Sequence, residues 1–172
     1  TRVTDAGGGA ERLNAEAVLR LLDSGGVCGA TQLRRIHDPA HPLSQYVGGS
    51  LVGTFAARAV GAGEALGVYA GVLAPVDALE SYLTKLPREA QRAAWSYDIE
   101  CGIHELTLHG AGVRNALAGI NDFHGIDPTA LGASVTKVPV RVGGVLPIVV
   151  FVARRAVPAG AELTLNYGPA WV

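Results

Sequence analysis

The stretch IVVFVARRAVPAGAELTLNYG, Ile148 to Gly168, decides how this chain is read, because an earlier one, LVGTFAARAVGAGEALGVYAG from Leu51 to Gly71, echoes it. Each holds an Arg-Ala-Val-x-Ala-Gly segment, Arg58 to Gly63 and Arg155 to Gly160. Each segment follows a strand-like run and precedes another that ends near a tyrosine. β-Branched and aromatic residues suit a pleated, half-buried surface, and glycine adopts turn conformations that a side chain resists. The pattern reads as strand, tight turn, strand, used twice, with Gly63 and Gly160 in the turns. Two units make no solenoid, since repeat arrays need three or more.

Outward from these stretches, the chain beyond Gly48 is a series of short β-branched runs broken by Gly and Pro, the texture of a mainly β domain. One helical island interrupts it, PVDALESYLTKLPREAQRAAW from Pro75 to Trp95, with Pro87 placed to begin a second helical turn. Ahead of the β texture, TRVTDAGGGAER (Thr1 to Arg12) reads as flexible. NAEAVLRLLDSGG (Asn14 to Gly26) then predicts a short helix. Asn14 is its candidate cap, Leu13, Val18, Leu21 and Leu22 its apolar stripe, and Gly25 its stop. The expected division is a flanking segment with a short helix over 1–48, a main domain over 49–168 with a helical insert at about 75–95, and a tail over 169–172.

The chain has 172 residues, 49% of them hydrophobic and 17% charged, which suits one globular domain with its own core. A formal net charge of -1 gives no basic face for sequence-independent nucleic-acid binding. The longest apolar run, GGVLPIVVFVA (Gly143 to Ala153), is too short to span a bilayer and contains Pro147. Cys28 and Cys101 lack CxxC spacing, so neither a zinc site nor a disulfide scaffold is expected, and the setting reads as reducing and intracellular.

A third stretch gathers polar chemistry. AGINDFHG, Ala118 to Gly125, sets Asn121, Asp122 and His124 within four residues. A metal site is the weaker reading, because His104, His109 and His124 lack helical i, i+4 pairing. A plain Asx-type turn is the bland alternative.

In order along the chain, LVGTFAARAVGAGEALGVYAG, RNALAGINDFHG (Arg114 to Gly125) and VFVARRAVPAGAELTLNYG (Val150 to Gly168) resemble the three motifs of the SET domain, from about Gly49 to Trp171. That family is a lysine-methyltransferase fold using S-adenosylmethionine, with S-adenosylhomocysteine as product. The resemblance implies a mainly β, α+β fold, a SET-type β-clip of small curled sheets with a helical insert. Asn121 and Asp122 take the place of the family's Asn-His pair, whose side chain and backbone hold the cofactor. Gly53 is the surviving glycine of the first motif, where backbone approaches the cofactor, with Leu51 and Val52 contributing backbone contacts. Trp171 falls where residues after the domain cover the adenine. Tyr167 matches the catalytic tyrosine and Tyr69 the tyrosine walling the lysine channel. Tyr97 and Leu165 match further channel positions, Leu165 standing where a larger aromatic is common. Glu64 and Glu162, which follow the two turns, read as solvated strand starts. The implied partner is a lysine-bearing protein or peptide, a histone tail among the candidates, with no nucleic acid or membrane. The family's chromatin work favours the nucleus.

Methyl transfer from a sulfonium to an amine is an in-line displacement, with reacting atoms held roughly 3–3.5 Å apart. The amine must arrive neutral although free lysine has a pKa of about 10.4. An apolar channel and a nearby positive sulfur both disfavour the ammonium, so no dedicated base is required. Aromatic walls attract a methylated or charged amine. Several family positions are altered: Ala118 and Gly119 stand for Arg-Phe, Phe123 and His124 for Ser-Cys, Ser134 for a later Asn, and Asn166 for Asp. These changes keep a second hypothesis open, a non-catalytic protein-binding module on a SET-like scaffold. A remote third is a metal-dependent hydrolase built on the histidines.

Overall fold

From Pro147 to Ala153 every residue is apolar, the pattern of a strand covered on both faces, and this run forms the centre of the protein. The computed structural model describes residues 3–5, 15–26, 29–45, 51–95, 97–123 and 132–167. In chain order its elements are β1 (Val3–Asp5), α1 (Ala15–Asp23), β2 (Thr31–Arg35), β3 (Val52–Ala56), β4 (Ala65–Val68), β5 (Val72–Pro75), α2 (Val76–Leu83) and α3 (Arg88–Trp95). There follow β6 (Asp98–Glu100), β7 (Leu106–His109), β8 (Asn121–Asp122), β9 (Val135–Val142), β10 (Leu146–Ala153) and β11 (Thr164–Leu165). Short 3-10 turns lie at Pro42–Gln45 and Ala116–Gly119.

The strands make four small sheets, ordered β1-β9-β10-β4, β5-β7-β6, β2-β3 and β11-β8. All pairings are antiparallel except β11 with β8. This is the mainly β, α+β architecture the sequence implied. Successive side chains on a strand point to opposite faces, and β10 shows the consequence. Ile148, Val150 and Val152 pack with Val18 and Leu21 of α1. Val149, Phe151 and Ala153 enter the main core with Tyr69, Leu163 and Leu165. The helical insert closes a small core of its own, Leu79, Leu83 and Ala94.

Helix α1 ends as expected. Gly25 and Gly26 have φ of 84° and 76°, and their N–H groups return to the carbonyls of Leu22 and Leu21 at 3.0 and 2.8 Å. The expected cap Asn14, and Leu13, lie outside the described residues. Residues Val3–Asp5, expected to be flexible, instead form β1 against β9, Thr4 opposite Arg141. A segment too short to signal a strand becomes one when a neighbouring edge offers unpaired backbone groups.

The echo also folds differently from the two hairpins it suggests. Strand β3 pairs with β2, and β4 pairs with β10. The two echoing turns bind each other. Val60 and Val157 exchange both backbone hydrogen bonds at 2.9 Å. Gly63 N–H donates to Ala153 O at 2.8 Å, matched by Gly160 N–H to Ala56 O at 2.7 Å. Ala153 N–H donates to Glu64 O at 3.0 Å, matched by Ala56 N–H to Ala161 O at 2.9 Å. The repeated sequence is thus a local two-fold, each copy supplying partners for the backbone groups of the other. The turn glycines keep their expected role, with φ of 78° at Gly63 and 80° at Gly160.

Candidate functional site

Two residues beyond β11, Tyr167 is brought beside β8 by the parallel pairing of Thr164 with Asn121 and Leu165 with Asp122. Its hydroxyl donates to Ile120 O at 2.5 Å, and its backbone N–H donates to the Asp122 carboxylate at 2.6 Å. Phe123 N–H continues the contact to Leu165 O at 2.9 Å. The loop is held from its other side by Asn115, which accepts from Leu117 N–H at 3.2 Å and donates to Val68 O at 2.8 Å. Burial pushes the Tyr167 phenol well above its ordinary value, and the neighbouring Tyr69 and Asp122 charges push it the same way.

Tyr69 follows β4 and reaches the same place. Its ring stacks on Phe151 with centroids 5.7 Å apart, and its hydroxyl donates to Tyr97 O at 2.9 Å. Gly110 makes this possible: a Cβ there would lie 2.9 Å from the Tyr69 Cζ and closer still to its oxygen. Burial, with the Asp98 charge behind it, pushes the Tyr69 phenol up as well.

Tyr69, Tyr167 and Leu165 line one pocket, floored by Ile120 and Phe151, with about 440 Å³ of space including its open mouth. Tyr97 is not among the residues lining it. The Tyr97 ring lies under the Arg114 guanidinium, 5.0 Å from its centroid, and its carbonyl accepts the Tyr69 hydroxyl. Trp95, Asp98 and Lys137, which the sequence reading passed over, do line the pocket. Asp98 sits opposite His109 in the β6–β7 register and hydrogen-bonds its Nδ1. Burial raises the Asp98 carboxyl, opposed by His109, and burial lowers Lys137, opposed by the Glu100 charge. Asp98 opens β6 while Tyr97 lies in the turn before it, and no local signal in the sequence marks Asp98 as a pocket residue.

Four of the residues expected at the cofactor, Leu51, Val52, Gly53 and Asn121, lie close together. Leu51 is buried and its carbonyl accepts from Ile36 N–H at 2.9 Å. The Asn121 amide donates to Val52 O at 3.0 Å and to Glu162 Oε1 at 2.7 Å. Gly53 lies against the pair; a Cβ there would stand 2.7 Å from Glu162 Oε1 and 3.2 Å from Asn121 Nδ2. Glu162 corrects the sequence reading. It is no solvated strand start but 11% exposed, with His41 Nε2 on its second oxygen at 3.0 Å. Burial by the His41 turn, far away in sequence, is what changes its character. Glu64 is 30% exposed and bonds Arg58 at 2.5 Å and Gly61 N–H at 2.9 Å, contacts that hold its carboxyl below the usual value, the Arg58 bond most of all. Trp171 lies outside the described residues.

S-adenosylmethionine carries a positive sulfur, and acceptor oxygens lie at both ends of Tyr167: the Ile120 carbonyl at its hydroxyl and the Asp122 carboxylate at its backbone N–H. With the aromatic wall of Tyr69 lining the pocket beside Tyr167, the residues present fit that group. Among the described residues no cluster of three or more His, Cys, Asp or Glu is placed to hold a metal, and His124 lies outside them. Among the same residues no helix is long and apolar enough to cross a membrane.

No family model matches the chain, and no curated protein matches it. Solved structures do. An apo form of ctPRC2 with two substitutions in Ezh2 matches with a TM-score of 0.61 at 22% identity. ctPRC2 in an autoinhibited conformation bound to S-adenosylmethionine matches with a TM-score of 0.61 at 21% identity. A humanized mutant of the Chaetomium thermophilum Polycomb Repressive Complex 2 bound to an inhibitor matches with a TM-score of 0.59 at 22% identity. Each match covers 86% of this chain and 16% of the other. The fold is therefore SET-type, in a divergent sequence that spans a small part of the chains it resembles.

Proposed function

We propose that the chain is an S-adenosylmethionine-dependent protein-lysine N-methyltransferase, acting on a lysine of a basic protein segment such as a histone tail. The observation that carries this reading is the convergence of Tyr167 with the Asn121–Asp122 loop beside the pocket walled by Tyr69. S-adenosylmethionine, when bound, supplies a methyl group on a positive sulfur. The chain's own residues do the rest. Both amide hydrogens of Asn121 are engaged by Val52 and Glu162, which fixes the side chain and leaves Oδ1 as its acceptor atom for the ammonium of an amino-acid head. Tyr167 gives its one proton to Ile120 O, so its oxygen meets the pocket as an acceptor for an amine N–H. Raised by burial, the phenol stays protonated and the hydrogen bond persists through neutral pH. The Tyr69 ring, fixed by Phe151 and Tyr97, presents a wall that excludes water and limits the amine's approach. Beside a positive sulfur the ammonium form is disfavoured, and alignment supplies much of the acceleration.

Labelled S-adenosylmethionine with a panel of basic proteins and peptides tests the proposal, alongside calorimetry of cofactor binding. Methyl incorporation on lysine, lost in Tyr167→Phe, is the expected result. Peptide binding without any affinity for the cofactor would replace this reading with the non-catalytic module.

A further inference from the structure

The pocket contains groups the methyl-transfer reading leaves unused, Asp98, Lys137 and Trp95 among them. Asp98 places one oxygen on His109 Nδ1, while its other oxygen, Oδ2, is buried and has no hydrogen-bond partner among the described residues. No ion pair joins it to Lys137, which lines the same pocket. A buried carboxylate oxygen without a donor is costly, and such costs concentrate where a ligand supplies the missing partner. The surroundings define that ligand. Trp95, 39% exposed, stands at the mouth and the ring of Tyr69 forms a wall, so an alkyl chain ending in a cation finds aromatic faces along its length and a negative end group. The cross-strand pairing of Asp98 with His109 holds the carboxylate in one orientation.

We propose that Asp98, oriented by His109, is the anionic anchor that seats the acceptor's ammonium group in this pocket, making the site selective for cationic alkylamines. This rests on the methyltransferase reading of the same pocket and adds the residue that chooses the substrate. An anchor of this kind stabilises the charged amine and does nothing for the neutral amine that reacts. An interaction made with the bound ammonium and not with the reacting state lowers KM and kcat together and leaves kcat/KM nearly unchanged.

The test uses Asp98→Asn, which keeps size and keeps an acceptor for His109 while removing the charge. With a lysine peptide and saturating S-adenosylmethionine, the expected result is a KM raised about 10- to 100-fold, with kcat raised alongside it so that kcat/KM stays within about threefold, and cofactor affinity unchanged. n-Butylammonium should inhibit the natural chain and lose that inhibition in Asp98→Asn, while uncharged n-butanol inhibits neither. Unchanged KM and unchanged n-butylammonium inhibition in a folded Asp98→Asn would overturn the inference and leave the methyltransferase reading standing. If the natural chain neither binds the cofactor nor transfers methyl, that reading fails on its own. n-Butylammonium titrated by NMR then still decides the anchor: binding abolished by Asp98→Asn upholds it, and no binding, or equal binding by both chains, overturns it.

Discussion

Gly110 leaves the room that the Tyr69 ring occupies. Its N–H donates to Tyr97 O at 3.0 Å, the carbonyl that also takes the Tyr69 hydroxyl at 2.9 Å. The backbone at Gly110 is thus pinned, and a Cβ would lie 2.9 and 3.1 Å from Cζ and Cε1 of Tyr69. These atoms belong to a ring stacked on Phe151 and cannot swing aside as a flexible chain end does. If the ring leaves, Gly110→Ala forfeits a part-buried hydrogen bond, about 0.5–1.5 kcal/mol, and the stack on Phe151, about 0.5–1.5 kcal/mol. If the ring stays, overpacking costs about 1–3 kcal/mol. Either route gives about 1–3 kcal/mol, a fall of roughly 3–10 °C in Tm for a chain of this length. Urea unfolding of Gly110→Ala, Tyr69→Ala and the double variant separates this from a generic loss. With no ring to strike, the added methyl should be nearly harmless, so the two changes should fall short of additivity by at least about 1 kcal/mol. Strict additivity, or a Gly110→Ala within about 0.5 kcal/mol of the natural chain, would refute the account of how Tyr69 is placed.

Tyr167→Phe should lower methyl transfer at least about 100-fold while destabilising by about 1–3 kcal/mol, because Ile120 O loses its donor; a rate within tenfold in a radiometric assay contradicts the assigned role. Glu162→Ala removes the acceptor shared by Asn121 and His41, and should cost about 1.5–3 kcal/mol by denaturant titration and weaken cofactor binding by calorimetry; unchanged affinity would separate Glu162 from the cofactor. Asp98 gives a pH signature. Its carboxyl is raised by burial above the ordinary 3.8, so the folded chain holds that proton more tightly than the unfolded one, and the contribution to stability falls as pH rises through the window above 3.8. Asp98→Asn should then be the more stable chain near pH 7, the gap closing below pH 3.8; a gap of the opposite sign in urea midpoints argues against it.

Much of this protein was readable in one dimension because its signals are local. The positive-φ requirement at Gly63 and Gly160, the apolar stripe of α1, the helical island with Pro87 and the run Pro147–Ala153 each write their conformation into adjacent residues. The order of three motifs likewise carried the SET-type fold, and with it the meeting of Tyr167, Tyr69 and Leu165. Partnership between distant segments was not readable in that way. Only the folded chain shows the two Arg-Ala-Val turns bonding to each other, Val3–Asp5 finding an edge on β9, and His41 covering Glu162, since each depends on which backbone or carboxylate oxygen lies opposite. The place of Asp98 was of the same kind: it opens β6 just after a turn, and its approach to the pocket depends on the register of β6 on β7. Local dihedral and hydropathy preferences belong to the residue itself, whereas burial and pairing belong to whatever the fold sets against it.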